Sequence, residues 1–564
     1  MPSTADLLLT SLEAAKTRFG RAAIPETNRI LDRLSRHKFS DAKSVLRFHE
    51  ALLFLRAFPQ SPSVVRKIEN ILNAFHLRIE TLRELGVIMS AFDDFDTSGL
   101  AGTTMQDTLN FEAARWLTRR IPRNVEIAWD DYEEDRAMGS TWPRFIPLLS
   151  EDADVEASIP WRRWLDAARG RERDLEWLIR RFEQLPVADR ARAELYDSLR
   201  LPLRWHLKNL KLSRTRNWTR PRSFHYHSEP LIMRSQVSLA RELAQPNPRL
   251  TKLSRREGER ILHTIREVML VRYRELYGTT LSDPKSVVRV NLDRGVVMYF
   301  WNLPAARRLP LRAYVAGFTL KNGVPINYIE AIGLCEWIEV GFNTFYTYRG
   351  GETAWIYAQS LRCLRAFTGA TTFSIYPYQI GQNNDEALDS GAFWFYRKLG
   401  FRSGRKDLEQ LARREEQKIA SNPQYRTPKK TLKRLAEAHM FYECSGSESS
   451  VWDDFSTRNL GVRVNRRMAR EFGGDSAQIR RASSAQVSRA LKINLSRWNP
   501  AEREAFENWS LILAMIPNLP NWSRQERQDV VRIIRAQAAS SEMRYLRLTY
   551  RHSRLREELL RLGS

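Results

Sequence analysis

Arg349-Gly350-Gly351-Glu352-Thr353-Ala354 follows the near-alternating aromatics of Phe345–Tyr348 and runs into a helix-compatible segment. A strand ending in a glycine-bearing turn and entering a helix points several backbone N–H groups at one spot, and the helix dipole adds to their field. Arg349 brings a side-chain charge, and two glycines permit close backbone approach. The chemistry this favours is the holding of an anion such as a phosphate. The plainer reading is a corner in which glycine supplies an unusual backbone angle.

Three other constellations carry less. Asp94, Asp96, Ser98 and Gly99 echo the first half of a calcium loop, but Met105 stands where the bidentate Glu belongs. His225 and His227, with Glu229, would share one strand face as metal ligands, yet no further ligand set accompanies them, so no metal is expected. Arg204–Arg222 holds seven Lys/Arg and no acid, with Trp205 and Trp218 interleaved. That composition suits phosphate contacts with aromatic stacking on single-stranded nucleic acid, or an acidic protein; a solvated basic loop is the bland alternative.

The elements that would position these residues change character along the chain. Residues 1–243 are mostly of helical period, with an irregular insertion at about 92–160. Residues 244–253 form a linker broken by two prolines. After a helix at about 254–277, "SVVRVNLDRGVVMYFW" predicts two strands about Asp293-Arg294-Gly295. "LRAYVAGFTL" and "VPINYIEAIGL" predict two more, joined by Lys321-Asn322-Gly323, and "CEWIEVGF" another. A helix over 353–367, a strand in "ATTFSIYPY" and a helix over Leu388–Leu399 closed by Gly400 follow. Residues 445–450 read as a second linker. Residues 451–564 are helical, with start signals at Asn499–Glu502 and Ser523–Glu526.

The turn and the later stretch "DSGAFWFYRKLGF" (Asp389–Phe401) together resemble the GNAT family of acyl-CoA-dependent N-acyltransferases over about residues 255–404. Arg349 and Ala354 match the ends of that family's pyrophosphate turn, and Glu352 stands where the family has Gly. Ala392, Phe395, Tyr396, Lys398, Leu399, Gly400 and Phe401 match its later motif, with Asp389 in place of an Asn. The resemblance implies an α+β fold with a mixed, mainly antiparallel sheet. It implies acetyl-CoA or another acyl-CoA as co-substrate, held by Arg349, Gly350, Gly351, Glu352, Thr353, Ala354 and Asp389. Pantetheine would lie where the strand at about 336–343 splays from that at about 371–376. Tyr396 falls at the family's general-acid position.

The acceptor amine must lose a proton before attack. No His occurs between His263 and His439, so imidazole is not expected from the strands of this core. Glu336 and Glu339 are the carboxylates at hand, each able to act through a water. Three apart on a strand, they face opposite sides, so only one would serve. As solvated strand charges they need no role. With Asp385, Glu386 and Asp389 nearby, a cationic amine is the natural acceptor.

Composition bounds these readings. A chain of 564 residues exceeds one ordinary core, and 43% apolar with 10% aromatic residues is that of a folded protein. Its charge of +25 favours an anionic partner. By region, residues 451–564 hold 21 basic and 12 acidic residues, whereas 321–400 hold six and seven. The excess charge therefore lies outside the α/β segment. Three Cys without metal or redox spacing, no signal-like start and no long apolar run predict a cytoplasmic protein without a membrane span. The expected function is acyl transfer to an amine. Its alternative is an inactive GNAT-fold scaffold that binds nucleic acid or an acidic protein through Arg204–Arg222 and the C-terminal helices.

Overall fold

A computed structural model describes residues 4–146, 148–151, 161–272, 277–444, 450–539 and 541–564. The chain divides into two compact units. One comprises Met1–Pro230, Leu262–Leu281 and Asn322–Pro325; the other comprises Leu231–Ile261, Ser282–Lys321 and Ile326–Ser564. Among the described residues no helix is long and apolar enough to cross a membrane.

The first unit is helical, as its period predicts. In the helix Ala42–Ala57 an Asp41 side chain caps the start and accepts from Ser44 N at 2.8 Å, while Val45, Phe48, Leu52 and Leu55 are buried. The stretch expected to be irregular also supplies two strands, β1 (Thr104–Thr108) and β2 (Val125–Ile127), which flank β3 (Pro202–His206) in an antiparallel sheet. Trp142, Trp161, Trp177, Phe182, Tyr196 and Trp205 centre its core.

The second unit is built on a nine-stranded sheet. Its strands are β4 (Leu250–Lys252), β5 (Val288–Asn291), β6 (Val296–Asn302), β7 (Ala313–Lys321), β8 (Val324–Leu334), β9 (Trp337–Thr344), β10 (Thr372–Ile375), β11 (Arg402–Ser403) and β12 (Met440–Glu443). Their spatial order is β11-β12-β10-β9-β8-β7-β6-β5-β4. The pairings are antiparallel except for β9 and β10, which run parallel. The helix Thr353–Thr368, here α1, makes the crossover that a parallel pair requires and ends on Gly369 at φ +86°. Arg294 at φ +60° and Asn322 and Gly323 at φ +48° and +77° make the expected tight turns.

Two expectations are corrected. The linker at 244–253 contains β4, an edge strand tied to β5, because Leu250–Lys252 finds a free ladder there despite the prolines before it. The single helix over Leu388–Leu399 is two short ones, Asp385–Asp389 and α2 (Ala392–Arg397), broken where Gly391 adopts φ +67°. The helices of 451–564 fall in the same compact unit as the sheet. Two of them, α3 (Glu542–Arg551) and α4 (Ser553–Gly563), hold groups of the sheet directly: Tyr314 N donates to Glu542 Oε1 at 3.2 Å, and Arg556 pairs with Glu336. Both start signals predicted in this region form, each as a capping box, at Asn499–Glu502 and Ser523–Glu526. The expected linker at 445–450 lies, except for Ser450, outside the described residues.

Candidate functional site

The glycine turn leaves β9 through a short 3-10 segment, Tyr346–Tyr348, and enters α1 at Thr353. Gly350 lies outside the left-handed region, and a Cβ built on it would meet nothing within 4 Å. Neither backbone strain nor packing therefore requires glycine there, and the backbone is open to close approach. No side chain caps the start of α1. Its first N–H groups precede any intrahelical acceptor. Thr353 Oγ1 donates back to Arg349 O at 3.2 Å, and Ala354 is buried beneath the turn. Arg349 pairs with Glu386 on the surface, a contact easily exchanged for another anion. Asp389 is exposed and paired with Lys429 at 3.0 Å.

Glu352 has turned away from this opening. It is fully buried, accepts from Ile232 N at 3.3 Å, pairs with Lys321 Nζ at 3.2 Å and is bound by Arg294. Lys321 is fully buried as well, and burial pushes its ammonium down to about 8 although Glu352 opposes the shift. The carboxylate at the family's glycine position is thus one member of a buried ion cluster under the sheet.

Strand β10 pairs with β9 only as far as Ser374 opposite Glu339. β9 continues to Thr344, and β10 ends at Ile375 and bends into Pro377–Ile380. Beyond Glu339 the two strands diverge, so β9 lacks a described ladder partner on that side. On one face of the fork, Phe342 packs on Tyr357 of α1, and Tyr357 on Tyr396, with ring centroids 4.9 and 5.5 Å apart. Tyr396, expected as a surface hydroxyl on the plain reading, is 5% exposed, and burial holds its hydroxyl well above the ordinary tyrosine range. The matched position is a packed one because α2 lays its aromatic face on α1.

The other face carries Glu339, Gly341 and Asn343 from β9 and their cross-strand partners Ile332, Glu330 and Tyr328 from β8. All six are half-buried, whereas Ile329, Ala331 and Val340 on the opposite side are buried. At the fork itself Glu339 Oε2 meets His439 Nε2 at 3.0 Å, and Arg312 stands 3.5 Å from the other carboxylate oxygen. His439 lies just before β12, which pairs with β10, so the ladder Ile375↔Met440 carries it to Glu339. Tyr376 packs edge-on against the imidazole with centroids 5.3 Å apart and accepts from Arg458 at 2.9 Å. Beside Gly341, Gln379 Nε2 comes within 2.9 Å of where a Cβ would sit, and Gln379 Oε1 is buried with no hydrogen-bond partner.

No His lies on the strands of this sheet, but His439, one residue before β12 and 100 positions from Glu339, reaches the fork through a strand pairing. Glu336 has a different setting. It sits in the β8–β9 hairpin, is 4% exposed, binds Arg556 and accepts from Trp452 Nε1 at 2.8 Å. That pair lies at the end of β9 opposite the fork, where it lines a separate cavity of about 530 Å³ with Arg365, Glu443 and Tyr550. Glu339 remains the carboxylate at the fork.

The remaining sequence candidates resolve into structure. Met105 is a core residue of β1. His225 and His227 pack edge to face, and no group of three or more metal-ligating side chains occurs among the described residues. In the basic strip, Trp205 is fully buried in β3, Arg214 is 2% exposed and paired with Glu50 at 2.7 Å, and Arg204 is paired with Asp130 and Asp131. Trp218 stacks under Arg56. Those pairs tie part of the strip into the first unit, whereas Lys208, Lys211, Arg220 and Arg222 are exposed. No protein-family model, curated protein or solved structure matches this chain.

Proposed function

We propose that the second unit is a GNAT-like N-acyltransferase core that uses an acyl-CoA thioester to acylate an amine. The observation that carries this reading is the direction of Glu352. A carboxylate aimed into the turn would repel a pyrophosphate; one sequestered by Lys321, Arg294 and Ile232 N leaves the turn with the Arg349 cation and uncapped helix N–H groups. Gly350, open and unstrained, adds room for phosphate oxygens against the backbone.

The topology is consistent with this. A single parallel pair within an antiparallel sheet, joined by α1 and diverging past Glu339, is the arrangement the resemblance implies for pantetheine between the strands. The unpaired backbone of β9 beyond Glu339 would supply N–H groups to the thioester carbonyl and to the oxyanion formed on attack. Tyr396, kept protonated by burial, would donate to the departing thiolate.

Titration calorimetry with acetyl-CoA and a short series of longer acyl-CoAs tests the reading. Saturable binding below millimolar concentration is expected, and no heat at millimolar ligand would overturn it. Tyr396→Phe is expected to slow thiol release severalfold while leaving acyl-CoA affinity intact; an unchanged rate removes Tyr396 from the reaction.

A further inference from the structure

The C-terminal helices of the second unit carry a charged surface that acyl transfer does not use. We infer that the helical hairpin of Thr457–Phe472 and Ser476–Leu491 binds the phosphate backbone of a nucleic-acid duplex through two stripes of exposed cations. Such binding needs nothing from the turn or the fork.

Residues 457–497 hold ten basic and two acidic residues, against 91 and 66 in the whole chain. Both acids are already engaged. Glu471 pairs with Arg467 at 2.9 Å and with Arg470 at 3.1 Å. Asp475 caps the second helix, accepting from Ala477 N at 2.8 Å and Gln478 N at 2.9 Å. The hairpin is closely fixed. Gly473 and Gly474 turn the chain at φ +56° and +85°. Arg467 then bridges the helices, donating to Ser483 Oγ at 3.2 Å and Gln486 Oε1 at 3.1 Å. Leu460 on the first helix and Ile479, Val487 and Ala490 on the second are buried.

Arg463, Arg466 and Arg470 recur three and four residues apart, so they share one exposed face of the first helix over about 10 Å. With exposed Ala485 between them, Arg481, Arg489 and Lys492 line one face of the second over about 16 Å, away from its buried residues. Arg470 meets Glu471, while Arg463 and Arg489 reach the carbonyls of Ser564 and Ala485, each at 3.3 Å. Arg466, Arg481 and Lys492 make no ion pair or side-chain hydrogen bond among the described residues, although the Arg481 charge reaches Asp475. Arg405 and Lys429, exposed cations of the same unit, are by contrast matched by Asp407 and Glu437 and by Asp389.

Charge complementarity selects an anionic partner, and the neighbouring side chains select which one. Stacking on a single strand needs exposed rings; the one aromatic residue of 457–497, Phe472, is half-buried with Arg467 over it at 5.6 Å. A membrane surface takes up apolar side chains beside the cations, and Val462 is the one large apolar residue exposed here. A protein interface likewise needs an apolar centre. Planar guanidiniums without rings or apolar neighbours fit a regular array of phosphates, held without reading sequence.

The test uses the full chain and a short fluorescent duplex of arbitrary sequence, with its single strand and phosphatidylserine vesicles as the competing partners. Duplex binding is expected to be the tightest of the three. It should weaken about 10³-fold between about 50 and about 200 mM salt, as six phosphate contacts require. The triple variant Arg463→Gln, Arg466→Gln, Arg470→Gln should lose at least about tenfold in affinity and reduce the salt slope by close to three. The triple variant Arg481→Gln, Arg489→Gln, Lys492→Gln should do the same, so poor folding of one leaves the other to decide. Both should keep the melting temperature, because the side chains removed are exposed. Arg220→Gln with Arg222→Gln, in the first unit, should bind the duplex as the wild type does. No duplex binding at about 50 mM salt, affinity indifferent to salt, or wild-type affinity in both triple variants would overturn the proposal. Tighter binding to the single strand or to vesicles would overturn the duplex as partner. An equal loss in the Arg220 and Arg222 variant would overturn the hairpin as the surface.

Discussion

Glu336 and Glu339 begin as equivalent carboxylates three residues apart, and the fold gives them opposite fates. Glu336, in the hairpin before β9, is enclosed by the Arg556 guanidinium and the Trp452 indole. Glu339, at the fork, is joined to an imidazole and left half open. A guanidinium is always charged and gives up no proton, so its partner is a fastening. An imidazole can exchange one, so its partner is an orienting group. The chemistry of a carboxylate here is set by what the neighbouring chain segments bring to it.

The sharpest way to break that contrast is through stability. Glu336→Gln leaves Arg556 paired with no charge at a largely buried position and should cost about 3 kcal/mol in denaturant unfolding. Glu339→Gln should cost under about 1 kcal/mol, because its partners reach solvent, yet it should lower kcat for acyl transfer without raising acceptor KM. A large stability loss from Glu339→Gln with no kinetic effect would make the two carboxylates alike.

A third carboxylate extends the comparison. Glu542 is 1% exposed, has Arg308 no nearer than 3.8 Å and accepts from Tyr314 N; burial pushes its carboxyl up to about 7. A carboxyl raised on folding binds its proton more tightly in the native state, so stability falls as pH rises from the ordinary glutamate value towards 7. That slope should amount to no more than about 3 kcal/mol over the window, and Glu542→Gln should flatten it. A pH profile of unfolding that is identical in the variant would show Glu542 to be as well paired as Glu336.

The smallest expected effect tests the turn. Gly350→Ala places a methyl in open space at an ordinary backbone angle, so the melting temperature should stay level or rise slightly, with a gain of at most about 1 kcal/mol. The same methyl should weaken acetyl-CoA binding if phosphate oxygens approach that backbone. Unchanged affinity would mean the opening is solvent only.

Local pattern made much of the second unit legible. Alternating apolar residues predicted β5 to β9, Asn322-Gly323 predicted a hairpin turn, and Asn499-Pro500-Ala501-Glu502 predicted a helix start, because each depends on neighbours within a few residues. Gly391 was missed as a break since its left-handed angle leaves no mark in helical spacing. In the first unit, β1 and β2 were obscured because they are short and draw their burial from Trp205 and its neighbours far along the chain. In the basic strip, composition counts charges, whereas the fold pairs only part of them.

The sequence by itself determined the order of strands and helices, the glycine turn and the charge balance of each region. Tertiary structure alone decided that Glu352 points into a buried Lys321–Arg294 cluster and that His439 stands at Glu339. Both outcomes depend on which strands become neighbours, and a side chain's partner across a sheet is set by register between distant segments. No local spacing encodes that register.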